Sequence, residues 1–142
     1  MLQKKDFGND APLLGLIPAV ITADGTGATC DLIGHDACQI SWNVGNSADT
    51  LSSTVYIELE VQTSDDDSTW VAAADADVST TVTGTNTGTR AKIDAPAEDS
   101  ALFTAAYLGR ERYVRGVFNL TGTHTNGCAV SMSYQRSRAK YP

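Results

Sequence analysis

Apolar and polar residues alternate with a period of two along much of this chain. From Val55 to Gln62, the side chains of Val55, Ile57, Leu59 and Val61 fall on one side, and those of Tyr56, Glu58, Glu60 and Gln62 on the other. That spacing predicts a strand with one face in a core and one in water. The same period sets Cys38, Ile40, Trp42 and Val44 against Gln39, Ser41 and Asn43, and sets Cys128, Val130, Met132 and Tyr134 against Ala129, Ser131, Ser133 and Gln135. Arg112–Leu120 and Thr89–Asp94 repeat the pattern, and Leu16–Thr22, Thr69–Ala73, Val78–Thr83 and Leu102–Tyr107 carry it more faintly. No segment holds a 3.6-residue period, and 95–106 has room for one short helical turn at most.

Turn-forming clusters separate these segments, at Gly25-Thr26-Gly27, Gly45-Asn46, Ser64-Asp65-Asp66 and Gly84-Thr85-Asn86-Thr87-Gly88. Many short strands punctuated in this way predict an all-β fold, a single antiparallel β-sandwich of about eight strands, with a jelly roll as the first choice. Its expected core is Ile40, Trp42, Val55, Ile57, Leu59, Val114, Phe118 and Val130. Residues 1–12 are polar and broken by Gly8 and Pro12, so they are read as an N-terminal arm, and 13–142 as the sandwich domain.

With 142 residues one core is the expected outcome. The longest apolar stretch, 13–21, carries Gly15 and Pro18 and is too short for a membrane helix, and no secretory h-region follows Lys4 and Lys5. A soluble protein made in a reducing cytoplasm is expected, with Cys30, Cys38 and Cys128 as free thiols. The net charge of −7 argues against nucleic acid as a partner. Charge is uneven along the chain: residues 1–89 hold Lys4 and Lys5 against 13 acidic residues, and 90–142 hold eight basic residues against four acidic ones. Either the molecule has complementary poles that steer copies head to tail, or interleaved strands average the asymmetry away.

Candidate chemistry is sparse. His35 falls in a loop just before a strand and His124 in a turn between two strands, where local hydrogen bonds are the better account. No convergent acid, base and nucleophile set is visible, so the protein is expected to be no enzyme, with no catalytic residue. Cys30, His35 and Cys38 have zinc-type donors without a zinc-type spacing, and Cys38 shares its phase with Ile40, so no metal and no cofactor is expected. Asp65, Asp66 and Asp67 lack the alternating ligands and distal Glu of a calcium loop, and a solvated hairpin is the better account.

The run from Gln62 through the acidic turn to Trp70, and later Arg112-Tyr113-Val114-Arg115, resemble segments of discoidin-like and galactose-binding-like jelly rolls. Together with Leu16–Ile21, Tyr107–Arg115 and Leu120-Thr121-Gly122-Thr123, they resemble the head decoration (cement) proteins of tailed bacteriophages. The resemblance implies a structural protein on the capsid exterior of the virion, a homotrimer bound to the major capsid protein. Lys4, Lys5 and Phe7 of the arm, with Arg110, Arg112 and Arg115, are the expected partner interface, the arm ordering against a neighbour. The rival expectation is a carbohydrate-binding β-sandwich module of a tail or fibre protein. Trp42 and Trp70 both buried would favour the first; an exposed Trp70 or Tyr107 beside polar loops would favour the second.

Overall fold

The period-two segments become strands, and the turn clusters separate them. A computed structural model describes residues 11–79 and 87–137. Its strands are β1 (Leu13–Ile21), β2 (Gly25–Thr26), β3 (Cys30–Asp31), β4 (Cys38–Ser47), β5 (Tyr56–Ser64), β6 (Val71–Ala72), β7 (Thr89–Ile93), β8 (Ala101–Tyr107), β9 (Tyr113–Thr121) and β10 (Cys128–Arg136). The single helical turn among the described residues is a 3₁₀ turn at Asp75–Asp77. Val78 forms one isolated bridge to Tyr107 rather than opening a strand, and 80–83 of that expected strand lie outside the described residues.

All pairings are antiparallel, and the strands form two sheets. Sheet A has the order β1-β10-β4-β8, and sheet B the order β2-β9-β5-β6, with β3 also on β9 and β7 also on β5. β2 and β3 follow one another along one side of β9, and β6 and β7 along one side of β5. Each pair serves as one interrupted strand, which leaves eight strand positions, four per sheet. β2 and β3 were hidden in sequence because Gly25-Thr26 looks like a turn. β4 also runs through Gly45-Asn46, where a turn was expected, and the irregularity is taken up as a register shift opposite Cys128–Val130.

The two inner faces meet in one core whose largest fully buried side chains include Trp42, Tyr107, Tyr134 and Phe118. Seven of the eight expected core residues are buried there. Val55 is only half-buried, because it closes a tight turn with Ser52 just before β5 begins. Tyr134, on β10, reaches across the core. Its hydroxyl donates to the Ala28 carbonyl at 2.8 Å and accepts from the Gly116 N–H of β9 at 3.2 Å. Burial holds this phenol above its ordinary pKa, so the proton it donates stays in place. Space for Tyr134 comes from two glycines, since a Cβ at Gly27 would sit 2.2 Å from its oxygen and one at Gly15 would sit 2.8 Å from its Cζ. A Cβ at Gly116 would sit 2.6 Å from the sulfur of the neighbouring Met132.

The outward side chains of β5 depart from expectation. Glu58 and Glu60 are only 5% and 7% exposed, although alternation places them toward water. β5 is a central strand, so long side chains from both neighbours close over its outer face. Glu60 accepts from Asn119 Nδ2 and from Gln62 Nε2, and Glu58 stands in register between Asn119 of β9 and Lys92 of β7.

Replacing Leu59 with Ala is expected to cost about 2–5 kcal/mol by the cavity it leaves. Glu58→Ala, which exposure by alternation would make neutral, is expected to cost about 1 kcal/mol or more, because it strips a buried polar group from its partners. Urea unfolding of the two variants beside the parent protein measures both.

Candidate interaction surfaces

The outer face of sheet A is built by the polar phase of its four strands. Cross-strand register lines up Leu14, Ser133, Ser41 and Thr104 in one row, Ser131, Asn43 and Leu102 in a second, and Gln135, Gln39 and Ala106 in a third. Val20 beside Ala129 extends it. None of these side chains carries a charge. Leu102, Val20 and Leu14 are 65%, 64% and 59% exposed, so apolar surface lies open among short polar groups. A shallow groove of about 270 Å³ between Pro18, Ala19, Asn43, Gly45, Ala129 and Ser131 runs along it where β1 bulges.

Both edges of this sheet are managed. β8 is capped by Arg90, whose Nε donates to the Thr104 carbonyl at 2.5 Å, and by Ser79, whose N–H and hydroxyl bond Ala106. β1 carries Pro18 and two register shifts, features that discourage strand addition.

Sheet B is different: its outer face carries charge, and that charge is internally matched. The Arg115 guanidinium lies over the Trp70 ring, 4.1 Å from its centroid, and its Nε and Nη2 both donate to Gln62 Oε1 at 2.9 and 2.8 Å. Lys92 sits over Tyr56 and pairs with Asp94 at 3.3 Å. Arg112 stacks on Tyr113 and grips Asp31 with two bonds of 3.0 and 2.9 Å. Strands from the acidic and basic portions therefore interleave, and the charge asymmetry of the sequence produces no acidic and basic poles on the two sheets.

At one end of the sandwich, the 32–36 and 108–112 loops enclose a cavity of about 450 Å³ that includes His35, Arg110, Glu111 and Arg112. Arg110 and Arg112 line this cavity, while Arg115 is engaged on sheet B by Trp70 and Gln62. Lys4, Lys5 and Phe7 lie outside the described residues. His35 is in a loop as expected, but its Nδ1 bonds the distant Ser137 carbonyl at 2.5 Å. His124 is buried, its Nε2–H donating to Thr121 O at 3.0 Å and its Nδ1 facing Asp49 at 4.0 Å.

The three aspartates of the β5–β6 hairpin have separate duties. Asp66 accepts from the Thr69 and Ser68 N–H groups at 2.7 and 2.9 Å and from the Ser64 hydroxyl at 2.9 Å, which pushes its pKa down to about 2. Asp67 accepts from Thr29 at 2.6 Å. Asp65 hydrogen-bonds Glu111 and so holds the Glu111 carboxyl above its ordinary value. Among the described residues no group of three or more His, Cys, Asp or Glu is arranged to hold a metal ion, and no helix is long and apolar enough to cross a membrane. All three cysteines are free and buried.

Trp42 and Tyr107 are fully buried, while Trp70 is half-buried beneath Arg115. The uncharged face of sheet A was overlooked in sequence, although its signal was present: the polar phase of β4 and β10 is Ser, Asn, Gln and Ala, where that of β5 includes two Glu. The chain matches no protein-family model and no curated protein.

Asp66 gives the hairpin a defined acid response. Its folded pKa lies below the ordinary 3.8, so the stability it supplies is complete above about pH 4 and falls away as pH drops toward about 2. Asp66→Asn is expected to flatten this part of the stability-versus-pH curve, read by urea unfolding between pH 2 and pH 6, and a carboxylate titration followed by NMR should place Asp66 at about 2.

Proposed function

We propose that this protein is a non-enzymatic decoration protein that binds the outer surface of a tailed-phage head, as a homotrimer on the major capsid protein. The observation that carries this reading is the sheet A outer face, four strands wide and free of charged side chains in a chain of net charge −7. Two surfaces that must lie flat together lose water from every group between them, and a charge left unpaired there costs far more than a serine or alanine. Selection for contact leaves such a face short, uncharged and dotted with exposed leucine and valine. Sheet B, with its matched ion pairs, suits water.

The jelly-roll reading belongs to the same proposal. Taking β2 with β3 and β6 with β7, the strand positions run 1-8-3-6 in sheet A and 2-7-4-5 in sheet B, the interlocked order of two Greek keys. Three copies around a rotation axis meet through heterologous contacts and close into a ring. The arm, with Lys4, Lys5 and Phe7, adds contact area against the coat protein or an adjacent copy. The virion exterior is the proposed location.

A carbohydrate-binding module is the competing reading, and it rests on the partial exposure of Trp70 in a polar hairpin. Against it, Arg115 already occupies one face of that ring, and Tyr107 is buried.

The test uses heads assembled from the major capsid protein encoded in the same genome as this chain. The parent protein is expected to co-sediment with them at a stoichiometry set by the lattice, and to weigh three protomers in solution. Asn43→Glu, on the sheet A face with only uncharged neighbours in its row, is expected to weaken binding at least about tenfold, since a buried unpaired charge costs well over 1.4 kcal/mol. Arg115→Ala is expected to bind as the parent does. Failure of the parent protein to bind heads while a glycan array retains it through Trp70 would replace this reading with the carbohydrate one.

A further inference from the structure

β3 belongs to sheet B and β4 to sheet A, and a short loop, residues 32–37, carries the chain from one to the other. Cys30 and Cys38 stand at the two ends of that loop. Both are fully buried, and their sulfur atoms lie 3.7 Å apart across the gap between the sheets. We propose that Cys30 and Cys38 are a disulfide-forming site that fastens the two sheets together when the protein meets a low-molecular-weight disulfide oxidant.

Three features of the surroundings suit the pair to this chemistry. The sulfurs need to move by less than about 2 Å to reach the bond length of about 2.0 Å, a shift within reach of side-chain rotation. Arg136, the register partner of Cys38, is half-buried at the end of β10, anchored by its Nη1 to the Asp31 carbonyl at 3.2 Å. Its charge, added to the hydrogen bond from the Cys38 thiol, draws the Cys30 thiol below its ordinary pKa, while the same shared bond and burial raise Cys38. A thiolate is the attacking form in disulfide exchange. Access comes from a cavity of about 280 Å³ lined by Ala37, Cys38, Gln39, Ala106, Gln135 and Arg136, which opens beside Cys38.

The reaction balances with one oxidant molecule of the form RSSR. The Cys38 thiol passes its proton to the Cys30 thiolate, and the Cys38 thiolate so formed attacks one sulfur of RSSR; the departing RS− takes that proton from Cys30 and leaves as the first RSH. The Cys30 thiolate, restored by that transfer, then attacks the Cys38 sulfur of the mixed disulfide, and the second RS− takes a proton from water and leaves as RSH. Two protein thiols are oxidised by two electrons, and one disulfide is reduced to two thiols. Cys128 lies on β10 with its sulfur directed at the Gly45 carbonyl, 3.4 Å away, and no second cysteine sulfur is recorded beside it. It is therefore the internal control. The inference needs no assumption about the capsid: it concerns only this chain and an oxidant.

The experiment treats the full-length protein with oxidised glutathione, then counts free thiols under denaturing conditions and measures intact mass. The expected result is a fall from three titratable thiols to one, a mass loss of about 2 Da from the two hydrogens, and a thermal midpoint raised by roughly 5–10 °C for a loop this short. Cys128→Ala is expected to go from two thiols to none with the same midpoint rise. Cys30→Ala and Cys38→Ala, checked for fold by circular dichroism, are expected to show no such rise. Three thiols persisting in the parent protein after oxidation, or a bond mapped by mass spectrometry to Cys128, would overturn the proposal; the parent thiol count decides it even where a variant fails to fold.

Discussion

One hydroxyl keys the two sheets to each other. Tyr134 starts in sheet A, and its oxygen is satisfied only in sheet B and in the segment leading to β3, by Gly116 and Ala28. A buried phenol without partners would cost on the order of 1–3 kcal/mol, so any sliding of one sheet over the other by a residue is penalised twice, in packing and in lost hydrogen bonds. The glycines at 27 and 116 are the other half of the same constraint, because a side chain at either would collide with Tyr134 or Met132. Hydrophobic burial makes the sandwich stable; this contact fixes how its layers are aligned.

Alignment of the layers in turn decides what each outer face presents. With Trp42, Met132 and Tyr134 turned inward, the opposite phase of β4 and β10 must face out, and in this sequence that phase is Gln, Ser, Asn and Ala. Sheet B obeys the same geometry with different residues. There the outward phase contains Glu58, Glu60 and Arg115, and the strands on either side supply Asn119, Lys92 and Gln62 to enclose them. Among the described residues the molecule thus has one face whose charges are answered from within and one that has none to answer. The proposed capsid-binding role rests on this difference.

Much of the architecture was legible because alternation is a backbone property: side chains two residues apart share a face wherever a strand forms. Hence β4, β5, β9 and β10 stand where the pattern placed them. The two-residue strands β2 and β3 were not legible, since so short a segment has no period and Gly25 reads as a turn. Alternation also reports only the phase of a residue, and what lies above that phase is set by neighbouring strands. Glu58 and Glu60 were misjudged for that reason, and the partner that Arg112 grips, Asp31, is 81 positions away in sequence, beyond the reach of any local pattern. The proposed interaction surface was hidden in the same way, because composition totals the charges of both faces and conceals that one of them holds none among the described residues.

The central claim is that the uncharged face of sheet A is the surface through which this protein is held. Hydroxyl-radical footprinting of the protein bound to heads, against the same protein free in solution, tests it most directly. The account predicts that protection on binding concentrates at Leu14, Val20 and Leu102, with Trp70 and Tyr113 on the opposite sheet labelled as in the free protein. Protection centred on Trp70, Tyr113 and their hairpin, with Leu14, Val20 and Leu102 unchanged, would contradict it.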